Sequence, residues 1–326
     1  MKHQGALYFH SPCFDGIVSA VLTWDFLEHK LSWSRVRLHT VNYDVKNYWL
    51  SSELGRPSAI VDFLYHPQAE FWADHHLTSF LTKEARYDFE QRQGKMVVYD
   101  DRMGSCAALL WDHLAIAFGH RNPGYEEMVQ WAEKTDSAVY ESVHEAIFPS
   151  SPALKISLSL VLGDEDNYSQ KLVRALRTRS LEDVANLPKV RTRFDRIQAS
   201  MKEGLDRFRR AAHMDRDGIV VFDVDTEGTF VSRYAPYYFF PEARYSAGIM
   251  RWPGGAKITA MRNPWREFES VPLGEICERL GGGGHRRVGS IALQGDRIAE
   301  AHRFFTRLLS EIRERDRDLA EGSARW

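Results

Sequence analysis

The sequence predicts an α/β protein that has a mainly parallel sheet with flanking helices, then a helical connector, then a smaller C-terminal α/β domain. Short apolar runs of strand length alternate with segments of helical periodicity over the N-terminal third of the chain. A highly charged helical pattern follows, and a β pattern returns after Asp217. Because strands that alternate with helices usually pair in parallel, the first pattern indicates a parallel sheet. The predicted domain ranges are 1–150, 151–215 and 216–326.

Five strands are predicted in the N-terminal domain, and each is a short apolar run that ends at a polar turn. Helical periodicity follows the first strand, over Ile17–Leu31. A second apolar helix, Cys106–Ala117, follows Ser105, whose hydroxyl group suits the N-cap position. The predicted strands are Ala6–His10, Arg35–Asn42, Ala59–Phe63, Glu70–Asp74 and Met96–Tyr99.

The rest of the chain is predicted to contain one long helix and a second group of strands. Lys189–Arg210 is rich in both charge signs, which is typical of an exposed connector helix with pairs four residues apart. The C-terminal domain is predicted to contain strands at Ile219–Asp225, Tyr245–Trp252, Lys257–Arg262 and Val288–Leu293, and helices at Leu273–Leu280 and Asp296–Arg315.

Composition limits the classes of partner. The 326 residues include 43 Lys and Arg against 45 Asp and Glu, so the basic surplus of a protein that binds long duplex nucleic acid is missing. The three cysteines are too widely spaced for a Cys-x-x-Cys zinc site. Neither a signal-peptide pattern nor an apolar run of roughly 20 residues, the length that spans a bilayer, is present. We therefore expect a cytoplasmic protein without membrane contact; a homodimer stays open.

Chemically useful side chains follow the ends of several predicted strands. His10, Asp62 and His75 all lie at or just past such an end. Ligands of parallel sheets collect where the carboxyl ends of the strands meet, so these side chains are expected to converge. A single His or Asp at a strand end is more often a cap or a turn residue, but several at one sheet edge favour a shared site.

Two further segments indicate the chemistry. Asp74-His75-His76 offers carboxylate and imidazole, which divalent ions such as Mn²⁺ bind. Gly281–Gly284, followed by His285 and Arg286, is typical of a loop that holds a phosphate group. The glycines could also simply end the helix that precedes them. Metal and phosphate together indicate hydrolysis of a phosphoester.

Five short motifs occur in order along nearly the whole chain: His10 with Cys13-Phe14-Asp15-Gly16, then Ile60-Val61-Asp62-Phe63, Asp74-His75-His76, Thr135-Asp136, and Gly281–His285. This ordered set resembles the DHH phosphoesterase superfamily with its C-terminal DHHA1 domain. It is most similar to the branch of oligoribonucleases and cyclic-nucleotide phosphodiesterases. The resemblance makes 1–150 the metal-binding catalytic domain and 216–326 the substrate-binding domain.

The resemblance implies two divalent metal ions, with Mn²⁺ favoured. Asp62 would bridge the two ions, and His10 would bind one of them. Asp74 would orient its neighbours, and His76 would meet the phosphate as a catalytic residue. The ligands of the other ion would be Asp15, His75 and Asp136.

Cys13 departs from the family pattern, which usually carries Asp-x-Asp-Gly in the first motif. As a metal ligand, its softer sulfur would favour Zn²⁺, Fe or Co over Mn²⁺. Alternatively, Cys13 is a protonated thiol and the first ion is weakly held or absent. Some family members carry a similar Cys-x-Asp-Gly, which favours a working enzyme.

The resemblance also implies a substrate-binding set in the C-terminal domain, which would hold the end of the substrate away from the metals. An arginine on a neighbouring strand would assist the glycine-rich loop. By position, the predicted set is Arg262, Gly282, Gly283, Gly284, His285 and Arg286.

Two classes of function fit these observations. The first is a metal-dependent phosphodiesterase in which a metal-bound hydroxide attacks the phosphorus of a short oligonucleotide or a cyclic mono- or dinucleotide. A single-strand-specific exonuclease is a variant of the same activity. The second is a catalytically weak nucleotide-binding sensor, because Cys13 replaces a carboxylate. The sequence leaves these alternatives open.

Overall fold

The structure is a computed structural model that describes residues 3–323, with the side chains of 3, 285 and 321–323 excluded. The chain forms two compact units. The first comprises 1–140 and 150–195, and the second comprises 141–149 and 196–326. This division is based on compactness, and it places 150–195 in the first unit. It does not test the functional domain boundaries predicted after 150 and 215, which stay predictions.

The first unit contains a five-stranded sheet in the order β2-β1-β3-β4-β5, and every pair of neighbours is parallel. The parallel sheet that the alternating pattern predicts is therefore confirmed. Each predicted strand is present, with bounds shifted by a few residues. The strands are β1 His3–His10, β2 Trp33–Val41, β3 Ser58–Val61, β4 Phe71–Asp74 and β5 Val97–Tyr99.

Helices cover this sheet, and the most buried of them follows the first strand. Thirteen of its sixteen residues are buried, so it has hardly any polar face and lies within the core. The helices of the first unit are α1 Phe14–His29, α2 Lys83–Arg92, α3 Cys106–Phe118, α4 Glu126–Asp136, α6 Pro152–Ser159, α7 Tyr168–Leu176 and α8 Leu181–Ala185; α5, Val143–Ile147, belongs to the second unit.

A second apolar cluster in this unit is rich in aromatic side chains. Trp72 of β4 is fully buried at its centre, and its indole N–H donates a hydrogen bond to the Phe63 carbonyl at 2.9 Å. Four aromatic rings surround it, with centroids 5.0 to 6.1 Å away: Tyr65, Phe80, Phe89 and Tyr99.

The helix α9, Pro188–Ala211, runs from one unit into the other, and it corrects the prediction of an exposed connector. Six of its side chains are buried at intervals of three or four residues, which is the repeat of one helix face. The charged residues occupy the remaining surface and masked this pattern in the sequence. The buried residues are Val190, Arg193, Ile197, Met201, Leu205 and Phe208.

The second unit contains a six-stranded mixed sheet in the order β10-β11-β9-β8-β7-β6. The pair β7 and β8 is parallel, and the other pairs are antiparallel. The predicted smaller α/β domain is therefore confirmed as a class. Its elements are β6 Ala212–Met214, β7 Ile219–Asp225, α10 Ala235–Phe239, β8 Tyr245–Trp252, β9 Gly255–Arg262, α11 Leu273–Arg279, β10 Gly283–His285, β11 Val288–Gln294 and α12 Ala301–Ser323.

Among the described helices, none combines the length and the apolar character needed to cross a lipid bilayer.

Candidate metal centre

The carboxyl ends of three adjacent strands bring the predicted ligands together. His10 is the last residue of β1, Asp62 follows the last residue of β3, and Asp74 ends β4. These strands are neighbours in the parallel sheet, so their ends lie along one edge. The convergence predicted from the strand ends is therefore observed.

Asp62 lies at the centre of this group. Its side chain is buried, and among the described residues no donor forms a hydrogen bond to either carboxylate oxygen. Burial, followed by the charges of Asp15 and Asp136, raises the pKa of Asp62 well above its usual range. A buried carboxylate without a partner is unfavourable, whereas a cation between these oxygens would satisfy it.

The backbone at Asp62 is also unusual. Its φ angle is +56°, in the left-handed region that non-glycine residues rarely adopt. This conformation ends β3 at Val61, two residues earlier than the sequence predicts. Gly16 lies close by, because a Cβ atom there would lie 2.1 Å from the His10 carbonyl oxygen and 3.1 Å from the Asp62 carboxylate. Only glycine therefore fits at position 16.

His75 has its ring fixed so that one nitrogen remains available. Its Nδ1 donates to the Met103 carbonyl at 3.1 Å, which leaves Nε2 directed at carboxylates. Nε2 lies 3.7 Å from Asp15, 3.8 Å from Asp62 and 3.3 Å from Asp136. It is buried and has no hydrogen-bond partner among the described residues. This geometry suits a metal ligand.

His10 offers a second nitrogen of this kind. Its Nδ1 is buried, lies 3.4 Å from Oδ2 of Asp62, and forms no hydrogen bond within the described part of the chain. Burial and the nearby His76 lower the pKa of His10 to about 4, so the ring is neutral at physiological pH. A neutral imidazole keeps the lone pair that binds a metal ion.

Asp15 lies beside His75 and also accepts hydrogen bonds from the start of α3, which the sequence does not reveal. Its oxygens accept hydrogen bonds from the backbone N–H groups of Cys106 and Ala107, both at 2.8 Å. These are the first residues of α3, so the carboxylate also satisfies a helix N-terminus. Asp15 thereby joins α1 to α3 and is held rigidly against His75.

Asp74 accepts hydrogen bonds from three neighbouring groups. Its Oδ1 accepts hydrogen bonds from the backbone N–H of His75 and from Nδ1 of His76, both at 2.8 Å. Its Oδ2 accepts a hydrogen bond from the hydroxyl of Ser79 at 2.5 Å. Ser79 was not predicted, because a serine after a turn carries no distinctive sequence signal. Both carboxylate oxygens of Asp74 are therefore engaged in hydrogen bonds that orient other groups.

His76 is the cationic side chain of the cluster. Burial opposes its charge, but the hydrogen bond to Asp74 and the surrounding carboxylates raise its pKa to about 9. The ring is therefore protonated at neutral pH in the metal-free protein. A cation at this place attracts a phosphate group.

Three groups of side chains each bring potential ligand atoms within 4.8 Å of one another. The unpaired atoms of His10, Asp62 and His75 belong to these groups, and such orphaned atoms are what a bound cation would satisfy. The residues present therefore fit divalent cations. The groups are His10, Cys13 and Asp62; Asp15, His75 and Asp136; and Asp62, Asp74, His75 and His76.

Tyr43 is a neighbour of the cluster that the sequence analysis missed. It follows β2, and its ring contacts that of His10 edge-on at a centroid distance of 5.3 Å. Burial, with the charges of Asp74 and Asp62, raises the pKa of its phenol. In the sequence, the position of Tyr43 just after a predicted strand of the same sheet was the signal that could have indicated its place beside the cluster.

Solved structures with the same architecture are known. The pGpG-specific phosphodiesterase PggH from Vibrio cholerae aligns with a TM-score of 0.68 at 19% identity, over 95% of this chain and 98% of that one. RecJ from Thermus thermophilus, solved with Mn²⁺, aligns with a TM-score of 0.57 at 14% identity, over 95% of this chain and 52% of RecJ. A third structure is a DHH domain, with a TM-score of 0.56 at 12% identity, over 95% of this chain and 86% of that one.

The chain has the DHH-superfamily fold. At sequence identities of 12–19%, the structural likeness establishes the fold. The predicted resemblance is therefore confirmed for the fold. No protein-family model matches the sequence, and the curated proteins contain no significant match.

Cys13 lies at the position for which the resemblance predicts a carboxylate. It is half-buried and precedes α1, where its side chain forms no capping hydrogen bond. Burial, followed by the charges of Asp62 and Asp136, raises the pKa of the thiol well above its usual value. In the metal-free protein the thiol is therefore protonated, and a metal ion would have to displace its proton.

The glycine segment of this DHH fold has a clear structural role. Gly281 follows α11 with a φ angle of +84°, so glycine does end the helix. Gly284 has a φ angle of +148°, and a Cβ atom there would lie 2.2 Å from the Val288 carbonyl oxygen. At Gly283 an added Cβ atom would have no heavy atom within 4 Å. A phosphate-binding role stays a prediction for Gly282, Gly283 and Gly284.

The charged members of the predicted substrate set differ in exposure. Arg262 is buried, and its guanidinium donates to the carbonyls of Asn263 and Phe268, both at 3.1 Å. This favours a structural role, and a substrate contact stays a prediction. Arg286 is exposed, and the side chain of His285 lies outside the described residues.

Gly284→Ala is expected to destabilise the protein by about 1–3 kcal/mol, because alanine must adopt a strained backbone and displace the neighbouring strand. Gly283→Ala is the matched control, since its methyl group would enter open space. Thermal unfolding of both variants measures the contrast. Equal melting temperatures would contradict the close approach of Gly284 to Val288.

Proposed function

We propose that the protein is a metal-dependent phosphodiesterase that hydrolyses short nucleotide substrates. One observation carries the proposal. The buried Asp62 carboxylate has both oxygens unpaired, beside unpaired nitrogens of His10 and His75, within the described part of the chain. The DHH fold supports it, since the phosphodiesterase PggH shares that fold over 98% of its own length.

The residues present would hold two divalent cations. His10, Cys13 and Asp62 would bind one, while Asp15, His75 and Asp136 would bind the other, and Asp62 would contact both. Divalent cations, when bound, supply a water of lowered pKa and neutralise charge on the phosphoryl oxygens. Mn²⁺ is the favoured ion, as in the RecJ structure, and the sulfur of Cys13 leaves Zn²⁺, Fe and Co as alternatives.

His76 and Asp74 would act on the substrate as a pair. Asp74 holds Nδ1 of His76, which fixes the ring and maintains its positive charge. The charged imidazole would contact a phosphoryl oxygen and stabilise charge that grows there. Ser79 completes the arrangement by fixing the second oxygen of Asp74.

The proposed substrates are linear dinucleotides, short oligonucleotides and cyclic nucleotides. PggH is described as pGpG-specific, so a linear dinucleotide is the first candidate. The exposed Arg286 and the backbone near Gly283 would bind a phosphate of the substrate. RecJ is about twice as long as the aligned region, so its activity is a weaker guide to this chain.

Turnover of a substrate panel tests the proposal. The purified protein, with its metal content determined by mass spectrometry, is incubated with pGpG, a cyclic dinucleotide, a five-nucleotide single strand and a long single strand, each with Mn²⁺. Release of mononucleotides from the dinucleotide is expected. Hydrolysis of the long strand alone would instead indicate an exonuclease.

A nucleotide-binding sensor is the second candidate, and the neutral thiol of Cys13 in place of a carboxylate is the observation that favours it. Tight nucleotide binding without turnover, by protein that retains at most one metal ion, would support the sensor. Two bound ions together with turnover would reject it.

Cys13→Asp is expected to shift metal preference towards Mn²⁺, because a carboxylate is a harder ligand than a thiol. The measurement is the ratio of Mn²⁺ to Zn²⁺ affinity, and a rise of about tenfold or more is expected, at the scale that changes around a metal site produce. Aspartate is also a good N-cap for α1, so Cys13→Ser serves as the control, because serine caps without adding a carboxylate. An unchanged ratio would place Cys13 outside the ligands.

A further inference from the structure

Two large apolar side chains are exposed beside the candidate metal centre. Tyr43 is 40% exposed although its ring contacts His10, and Leu77 is 64% exposed although it directly follows His76. Apolar groups that surround a polar site usually meet an apolar part of its ligand.

Tyr43 is held firmly enough to act as a binding surface. Its ring packs edge-on against His10 at a centroid distance of 5.3 Å and at a tilt of 48° against Phe63 at 5.4 Å. The turn that carries it is fixed by Asn42, whose side chain accepts a hydrogen bond from the Asp44 backbone N–H at 2.9 Å. The ring is thus anchored to the cluster, while the residue keeps 40% of its surface exposed.

We infer that Tyr43 stacks on a nucleobase of the substrate and that Leu77 extends this apolar surface. The inference rests on the proposed phosphodiesterase function and adds a residue that would bind the base of its nucleotide substrate. A chain of inorganic phosphates would gain nothing from an aromatic ring or a leucine at this place. A nucleobase offers a flat face that stacks on any suitably exposed aromatic ring.

Binding of a matched ligand pair tests the inference without turnover. Guanosine 5′-monophosphate and ribose 5-phosphate share the sugar and the phosphate, and they differ by the base. Their dissociation constants are measured by calorimetry on the Mn²⁺-loaded wild type and on Tyr43→Ala, Tyr43→Phe and Leu77→Asn. Tyr87→Ala is the control, since Tyr87 is 64% exposed on α2.

For Tyr43→Ala, the dissociation constant of guanosine 5′-monophosphate is expected to rise by roughly 5- to 150-fold, which is the range that base–aromatic stacking gives. Tyr43→Phe retains the ring and should stay within about twofold of the wild type, as should Tyr87→Ala. Leu77→Asn should also raise the dissociation constant of guanosine 5′-monophosphate. Binding of ribose 5-phosphate should be unchanged in every variant.

Three results would overturn the inference: equal losses for both ligands in Tyr43→Ala, a loss in Tyr43→Phe as large as in Tyr43→Ala, or a wild type that binds both ligands equally. The proposed function fails on a different result, namely that the metal-loaded wild type cleaves no phosphodiester of the panel. The two failures are therefore distinguishable.

Discussion

Replacement of Asp62 by alanine is expected to remove bound metal and phosphodiester hydrolysis together. Asp62 belongs to the ligand group of His10 and Cys13, and its Oδ1 lies 3.8 Å from Nε2 of His75 in the other proposed group, so its loss should affect both cations. Turnover should fall by more than about 100-fold, since even residues that only support a ligand contribute about 10- to 100-fold. Metal content by mass spectrometry and dinucleotide turnover with Mn²⁺ measure the two effects on the same sample.

Asp62→Asn separates the charge from the backbone conformation. Asparagine tolerates the left-handed φ angle of +56° better than alanine does, so the strand end should be preserved. The amide lacks the negative charge that binds both cations, so metal and turnover should still be lost. Without metal, the variant should melt at least as high as the wild type, because a buried unpaired carboxylate is costly. Full turnover by either variant would reject the site.

Replacement of Trp72 by alanine is expected to produce a large loss of stability, of about 3–5 kcal/mol. The side chain is fully buried among four aromatic rings, and its removal also leaves the Phe63 carbonyl without its indole donor. For a unit of this size the melting temperature should fall by roughly 6–20 °C. Circular dichroism during heating measures the change.

Trp252→Ala is the control for that experiment, because Trp252 is 41% exposed in the second unit. Its loss should destabilise the protein much less than that of Trp72, since 41% of its surface already meets water. Similar melting temperatures for the two variants would contradict the packing described around β4.

The fold class could be predicted from local apolar patterns in the sequence. Those patterns are clearest where every residue of a strand or helix is buried. Apolar runs such as Ser58–Val61 and Phe71–Asp74 have every residue buried, so the sequence marks them clearly. The helix α2 was not predicted, because only Ala85 and Phe89 are buried in an otherwise charged segment. The buried face of α9 was missed for the same reason.

The predicted members of the metal centre lie together, and the groups that hold them were the part that sequence reasoning missed. The N–H groups of Cys106 and Ala107 bind Asp15, and the carbonyl of Met103 fixes His75. Backbone groups are the same in every residue, so no residue type signals their role. Tyr43 and Ser79 are common residues whose use depends on neighbours far along the chain.

The sequence by itself determined the alternation of strands and helices and the position of carboxylates and imidazoles at strand ends, because both depend on short-range periodicity and residue type. Only the tertiary structure decided which of these groups remain without hydrogen bonds, which are used for support, and which aromatic ring lies beside them. Those outcomes depend on contacts between residues separated by tens of positions, such as Asp15 with Cys106, 91 residues apart. The chain must fold before a buried, unpaired carboxylate exists to attract a cation.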